Sequence, residues 1–282
     1  MPWGTRPVVG ACGVALIAVC AHCGSEAPPP ADVAPPVDAG SEPPPTADAA
    51  LDAGPPDAPA EAAVEAGDDA GTGFCKALSP KPRFCDDFDD GVLANGWDQL
   101  TVLTGSSAEL DTSVRRSAPS AFVALTRAAG TNDAAHVHMR KALPGTPTVA
   151  RMEMSLHMSD TAPQTGAVAV ATLDMATNHL FTLYLRDDDP TTPAPALVEI
   201  AGAARSRIVL PRVPPPGTWT RVAIEIDLGA AKARVRYDGA LVVEGDISAT
   251  PAALDPTFRV GVYAFGPLPA LVTRFDDVVF DF

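Results

Sequence analysis

Alternating apolar and polar positions run through most of the chain beyond its N-terminal quarter. In the clearest run, 219–228, four aliphatic residues share one face: Val222, Ile224, Ile226 and Leu228. A period of two predicts a half-buried β-strand, because successive side chains of a strand point to opposite faces. The same pattern occurs at 121–125, 167–170 and 180–185. Helical periodicity is scarce, so the pattern predicts an all-β domain.

One hairpin is visible in the same region. Residues 234–237 and 240–243 have strand composition, and Asp238-Gly239 lies between them. A two-residue hairpin turn needs positive φ angles, which Asp and Gly tolerate. About twelve to fourteen such segments, separated by Gly, Pro and Asp, predict a sandwich or barrel. Residues 73–282 have a usual length for one such domain.

Residues 1–20 have the character of a secretory signal peptide. Arg6 precedes an apolar run that reaches Val19 and is too short to span a membrane. The sequence Leu-Ile-Ala-Val before Cys20 resembles the lipobox of bacterial lipoproteins. This resemblance implies that Cys20 is lipidated, and that the protein is exported and anchored by lipid to the cell envelope, at the outer membrane. Lipidation of Cys23 and an ordinary cleaved signal peptide are the alternatives.

Residues 21–72 have the composition of a disordered spacer. The segment 24–72 contains 11 of the 35 acidic residues, 11 Pro, no aromatic residue and no Lys or Arg. Such a segment buries too little apolar surface to offset its ordering entropy, and its charges repel one another. The spacer accounts for most of the net charge of −15. The chain has no basic stripe to neutralise phosphates, which argues against a nucleic-acid partner.

Cys75 and Cys85 flank the start of the predicted domain. In an exported protein we expect them to form a disulfide. The bond would hold the leading segment against the first strand. One free cysteine is the alternative.

Several motifs resemble those of concanavalin A-like and laminin-G-like jelly-roll domains. The sequence 84–91, followed by Gly96-Trp97, is similar to their opening strand. Residues 219–222 and 237–239 are similar to the central hairpin, and 258–263 and 275–280 to the closing strands. The resemblance covers residues 84–282. It implies two stacked antiparallel sheets, terminal strands that pair near each other, and a concave face that commonly binds glycans.

The resemblance also implies one cofactor, a structural calcium ion. In many jelly-roll carbohydrate-binding modules, acids at the positions of Asp89 and Asp277 hold calcium between the terminal strands. Calcium takes six to eight oxygen ligands, which two carboxylates and backbone carbonyls supply together. The alternative is that both residues are solvated or cap turns.

Two enzyme groups of this superfamily offer comparisons. Laminarinase-type hydrolases need two closely spaced carboxylates, patterned Glu-x-Asp-x-x-Glu on one strand. The nearest match is Glu225 and Asp227, but Ala230 occupies the final position. The resemblance therefore does not imply glycosidase activity.

Alginate-lyase-like jelly rolls carry Arg-x-Glu, Gln-x-His and Gly-x-Tyr strands. Arg151 and Glu153 match the first pattern and Tyr263 matches the third. Asp174 stands where the His of the second would be, so the proton-abstracting base is missing. Arg151, Glu153 and Tyr263 are the catalytic candidates of this comparison, and a plain charge pair between Arg151 and Glu153 is the alternative.

Glycan binding needs polar or amphipathic side chains on one sheet face. His136 and His138 share a face if they lie on a strand. Without a third ligand they make a weak metal site, so we expect them to line the ligand surface. The candidate ligand-binding residues are His136, His138, Arg151 and Tyr184.

The sequence as a whole favours a non-catalytic binding module of the cell envelope, with a polysaccharide as its ligand. One alternative is a polysaccharide lyase or glycosidase with a divergent site. Another is a structural or adhesive domain that binds a surface protein. We expect a monomer that meets the membrane only through its lipid anchor.

Overall fold

The computed structural model describes residues 73–159, 164–176, 178–189, 191–248 and 255–282. The predicted signal peptide, the lipidation site at Cys20 and the spacer 21–72 lie outside these residues. In the part of the chain that is described, no helix combines the length and apolarity needed to cross a membrane.

The described residues form one short helix and fifteen strands. In chain order these are α1 (Phe74–Ala77), β1 (Phe84–Asp86), β2 (Gln99–Val102), β3 (Ser107–Asp111), β4 (Ala121–Thr126), β5 (Ala134–Ala142), β6 (Val149–Met158), β7 (Ala167–Ala176), β8 (His179–Arg186), β9 (Ala196–Ala201), β10 (Ala204–Val209), β11 (Thr220–Asp227), β12 (Lys232–Tyr237), β13 (Ala240–Asp246), β14 (Thr257–Phe265) and β15 (Leu271–Asp281).

The strands form two antiparallel sheets. The eight-stranded sheet has the order β13-β12-β11-β6-β15-β4-β3, with β1 paired to β15. The seven-stranded sheet has the order β10-β9-β8-β7-β14-β5-β2. Consecutive strands β5, β6 and β7 alternate between the sheets, so strands that are distant in sequence become neighbours.

The structure confirms the predicted all-β sandwich. Each predicted alternating run coincides with a strand, although the run 219–228 extends one residue beyond β11 at each end, and the terminal strands pair, with Phe84 opposite Phe280. The predicted hairpin is present as β12 and β13. Its turn residues have positive φ angles, 49° at Asp238 and 80° at Gly239, as a two-residue turn of this kind requires.

Side chains of both sheets meet in one apolar core. Phe258 of the seven-stranded sheet stacks on Phe280 of the eight-stranded sheet, with ring centroids 4.6 Å apart. Phe84 and Trp97 extend this cluster with an edge contact at 4.9 Å, and Trp97 Nε1 donates to Asp86 Oδ2 at 2.5 Å. Burying each ring contributes ~1.5–3 kcal/mol. The cluster therefore joins the sheets where the terminal strands lie.

The predicted disulfide is confirmed. Cys75 at the start of α1 is bonded to Cys85 in β1, with the two Cα atoms 5.7 Å apart. Cys75 N also donates to Asp87 Oδ2 at 2.9 Å. The leading segment is thus held against the eight-stranded sheet, as expected.

Candidate functional site

The outer face of the seven-stranded sheet carries a groove of about 260 Å³. Its lining residues come from β5, β14, β7, β8 and β9, which are consecutive neighbours in the sheet. The groove therefore runs across the strands rather than along one of them. Five strands set ~4.8 Å apart give it a length of roughly 19 Å.

The first row of side chains across this face begins with two arginines. Arg140 of β5 lies opposite Arg259 of β14, which lies opposite Thr172 of β7. Arg259 Nη2 donates to Asp174 Oδ2 at 2.7 Å. Arg140 Nε is buried and makes no hydrogen bond within the described structure. Arg259 is thus ion-paired, whereas Arg140 has an Nε–H donor without an acceptor.

The second row places a histidine beside a glycine. His138 of β5 lies opposite Gly261 of β14. A Cβ atom on Gly261 would lie 2.2 Å from Val137 O and 2.5 Å from His138 Cα. Because Gly261 has no side chain, β14 approaches β5 closely, and the space above His138 stays open to the groove.

The third row contains three aromatic side chains. His136 of β5 lies opposite Tyr263 of β14, and their rings stack with centroids 5.7 Å apart. The rings of His136 and His138 are 5.5 Å apart. Across Ala169 of β7, the row continues to Tyr184 of β8. Tyr263 is 45% exposed, so its hydroxyl group is accessible from the groove side.

The surroundings of His138 determine its charge. Burial, followed by the nearby His136 and Arg259, lowers the pKa of His138 from 6.5 to about 4. The imidazole is therefore neutral at neutral pH, with a ring nitrogen that accepts a proton. Burial also raises the pKa of Asp174, against the opposing effects of Arg259 and Arg140.

This sheet face is basic although the protein is acidic. Residues 73–282 contain 24 acidic and 19 basic side chains. The charged strand residues that alternate onto the face are five arginines and one carboxylate, Arg140, Arg186, Arg205, Arg207, Arg259 and Asp174. A concave surface of one charge attracts ligands of the opposite charge. Three of these arginines are ion-paired within the described structure: Arg205 with Asp188, Arg207 with Asp187 and Asp189, and Arg259 with Asp174. Arg140 and Arg186 are therefore the cations of this face that suit it to an anionic ligand.

The structure does not bring the predicted lyase residues together. Arg151 and Glu153 lie on β6 of the eight-stranded sheet, whereas Tyr263 lies on β14 of the other sheet. The hypothesis of a site formed by all three is wrong, because β6 alternates to the opposite layer. Arg151 and Glu153 instead form an ion pair, and Glu153 Oε2 also lies 3.0 Å from Arg221 Nη2. The alternative of a same-face charge pair is confirmed, and Arg151 lies outside the groove.

His138 lies on a different strand from the one on which the lyase pattern places its histidine. The pattern places that histidine on β7, where Asp174 stands, whereas His138 lies on β5, and β14 separates the two strands. Sequence reasoning selected His136, His138, Tyr184 and Tyr263 but missed Arg140 and Arg259. The pattern His-x-His-x-Arg, with each residue on one face of β5, was the signal for Arg140.

A retaining glycosidase needs two carboxylates about 5–5.5 Å apart. Glu225 and Asp227 lie on β11 of the eight-stranded sheet, and Glu225 Oε1 is 2.7 Å from Arg234 Nη1. Among the described strand residues that face the groove, Asp174 is the only carboxylate. Over the described residues, the groove therefore lacks the carboxylate pair.

Asp89 and Asp277, the predicted calcium ligands, are close enough for their charges to interact. Burial, Asp87 and Asp277 together raise the pKa of Asp89 to about 6, and Asp89 Oδ1 is buried without a hydrogen-bond partner. The Asp277 carboxylate accepts hydrogen bonds from Ser117 Oγ at 3.0 Å and Ser155 Oγ at 3.1 Å. Over the described ranges, no three His, Cys, Asp or Glu side chains converge on a metal position. Backbone oxygens would therefore have to complete a calcium site.

No protein-family model and no curated protein sequence matches this chain. Solved structures do match. An endo-β-1,4-glucuronan lyase from the fungus Trichoderma reesei is 16% identical, with a TM-score of 0.52 over 71% of this chain and 95% of that one. The cellulose-induced protein Cip1 is 13% identical, with a TM-score of 0.50 over 70% and 96%. These similarities show the fold, a concanavalin A-like jelly roll, as expected.

The expectation of a non-catalytic binding module was wrong. The structures that match this fold include a polysaccharide-cleaving enzyme, the glucuronan lyase. The groove itself also contains a neutral imidazole and a tyrosine hydroxyl on adjacent strands, which are groups that transfer protons. The non-catalytic interpretation depended on Ala230 and Asp174 standing where catalytic groups were expected, and it assigned His138 to ligand binding alone.

Proposed function

We propose that the domain is a polysaccharide lyase that cleaves a uronate-containing glycan by β-elimination. One observation carries the proposal: His138 and Tyr263 lie on neighbouring strands of a groove face that also carries five arginines, three of them ion-paired. The same fold occurs in a glucuronan lyase. An acid, a base and a cationic surface are the groups that elimination from a uronate needs.

The reaction assigns one proton transfer to each residue. The neutral imidazole of His138 takes the proton from C5 of the uronate, and the electron pair of that C–H bond forms the C4–C5 double bond. The bond from C4 to the glycosidic oxygen breaks, and Tyr263 Oη donates its proton to that oxygen. The two products are an unsaturated uronate end and a free hydroxyl end. Proton exchange between the residues and solvent then restores the neutral imidazole and the phenol.

The arginines stabilise the charge that this reaction develops. Loss of the C5 proton moves negative charge onto the uronate carboxylate, which fixed cationic donors stabilise. Arg259 is the better candidate, because it lines the groove, its side chain is 40% exposed, and Asp174 engages only part of its guanidinium group; Arg140, whose Nε is buried without a partner, adds positive charge beside it. Arg140 and Arg259 lie opposite each other in the row next to His138. They therefore bind the carboxylate on the side of the proton transfer.

The proposal is tested by incubating the purified protein with polyglucuronate, polymannuronate, polyguluronate and polygalacturonate, with a neutral β-glucan as the control. We expect at least one uronan to give a rising ultraviolet absorbance from the conjugated C4–C5 double bond. New reducing ends without that absorbance would indicate hydrolysis and contradict the elimination. No cleavage of any uronan would contradict the proposal as a whole.

We propose calcium as a structural cofactor near Asp89, supported by its unpartnered buried oxygen and the surrounding acids. Calcium at about 100 times its Kd is expected to stabilise the chelator-treated protein by ~2.7 kcal/mol, or roughly 5–10 °C in Tm. Asp89→Asn should abolish this shift but raise the calcium-free Tm, because it removes repulsion from Asp87 and Asp277. Asp90→Asn, at an exposed neighbour, is the control. A wild-type Tm that calcium leaves unchanged would refute this cofactor.

We also propose that the protein is exported and lipid-anchored at Cys20, which its lipobox-like sequence supports. The spacer would then hold the domain where extracellular polysaccharides reach it. Metabolic labelling with a fatty-acid analogue tests the anchor. Label that persists in Cys20→Ala but disappears in Cys23→Ala would assign the lipid to the other cysteine.

A further inference from the structure

The groove extends well beyond the residues assigned to proton transfer. In the row that contains Tyr263, Tyr184 lies two strands away, across Ala169. Two strand spacings amount to about 10 Å. This distance exceeds what one pyranose ring covers, so a sugar bound at Tyr263 leaves the β8–β9 end of the groove open to other sugars of the same chain.

The far end of the groove differs in character from the end at His138. Leu180 of β8 lies opposite Ile200 of β9, and both line the groove together with Tyr184. Tyr184 is two strand positions from Thr182 and four from Leu180, so all three face the same side. The far end is therefore a mainly apolar surface with a phenol ring. Such a ring combines an apolar face with a polar edge, which suits the mixed surface of a sugar.

The hydroxyl group of Tyr184 is available to a ligand. Within the described structure this hydroxyl makes no hydrogen bond. Burial raises the pKa of Tyr184, so the hydroxyl keeps its proton. Arg205 of β10 lies opposite Ile200 and is close enough to act on the charge of Tyr184. Arg205 Nη2 donates to Asp188 Oδ1 at 2.6 Å, and its side chain is 38% exposed. Arg205 thus borders the apolar surface at the sheet edge as part of an ion pair, and Asp188 and Asp187 oppose its effect on the pKa of Tyr184.

We propose that Tyr184, Leu180 and Ile200 form a second sugar-binding subsite, distant from the proton-transfer residues and bordered by Arg205. The occupant is a further uronate residue of the same polysaccharide chain. Its ring packs on the apolar surface, the Tyr184 hydroxyl bonds to a sugar oxygen, and the exposed donors of Arg205 that Asp188 does not engage bind the carboxylate. This inference rests on the proposed function. It identifies the substrate as a chain with consecutive uronates that occupies several subsites.

The test measures binding separately from cleavage. In a Tyr263→Phe background, calorimetry compares a uronate dimer with a uronate hexamer of whichever uronan the protein cleaves, or of all four if it cleaves none. We expect Tyr184→Ala to weaken hexamer binding about tenfold and to leave dimer binding unchanged. Tyr184→Phe should retain most of the affinity, because the ring remains. Arg205→Gln should weaken hexamer binding chiefly at low salt, since exposed charges are screened at high salt.

The matched control is Tyr237→Phe, which removes a phenol hydroxyl from the eight-stranded sheet. It should bind both ligands like the parent. Equal hexamer affinity with and without the Tyr184 ring would overturn the subsite, as would failure of every hexamer to bind. Hexamer binding that depends on Tyr184, in a wild-type protein that cleaves no uronan, would support the subsite while the proposed lyase activity fails.

Discussion

Replacing Tyr263 by phenylalanine is expected to lower kcat for uronan cleavage by roughly 10²–10⁴-fold, the usual contribution of a positioned proton donor. The ring that stacks on His136 remains, so Tm should stay close to the wild-type value. Initial rates of ultraviolet absorbance, measured at saturating uronan, give the comparison. Substrate affinity should change little, because the phenol acts on the leaving oxygen in the transition state.

His138→Ala should cause a loss of similar size, and the pH profile of the wild type identifies His138 as the base. The pKa of His138 is lowered to about 4, so its neutral form persists well below neutral pH. The kcat/KM value should therefore stay constant on acidification to about pH 5 and fall only as pH approaches 4. An acidic limb near 6.5, the ordinary histidine value, would contradict this assignment.

Tyr237→Phe is again the matched control for Tyr263→Phe, because it removes the same group outside the groove. It should retain wild-type kcat. A Tyr263→Phe variant with wild-type kcat would remove the phenol from the mechanism.

The sequence predicted the two-layer fold because strand alternation is a local property. A period of two is readable within one segment, and the Asp238-Gly239 turn needs only its neighbours. Which sheet a strand joins is not local. Arg151 and His138 lie on consecutive strands with similar patterns, but β6 joins one layer and β5 the other. Periodicity alone therefore could not show that His138 lies in the groove, whereas Arg151 belongs to a charge pair on the other sheet.

The same limitation explains why Arg140 and Arg259 were missed. They lie opposite each other, although β5 and β14 are more than a hundred residues apart in sequence. The basic character of the face appears only when arginines from β5, β14, β8 and β10 are placed on one side of one sheet. The composition of residues 73–282, which is mildly acidic, gave no sign of this local concentration.

Gly261 connects the fold to the proposed chemistry. Its φ angle is +139°, and β14 shifts register against β7 between Val260 and Tyr263. Both features allow β14 to lie close to β5 at His138 while Tyr263 still faces the groove. A residue with a side chain at position 261 would contact the Val137 carbonyl and the His138 backbone. The contact of the two strands, and with it the proximity of base and acid, therefore depends on this glycine.

Gly261→Ala is consequently expected to destabilise the protein by ~3 kcal/mol or more, since backbone atoms would have to move and the φ angle is unfavourable. For a domain of this size the loss corresponds to roughly 6–12 °C in Tm. Gly239→Ala is the matched control, because Gly239 has a φ of +80° but no atom within 4 Å of an added Cβ. It should cost only ~1–2 kcal/mol, the strain of positive φ alone. Urea unfolding of both variants measures the difference, and equal losses would show that the close contact between β14 and β5 contributes nothing.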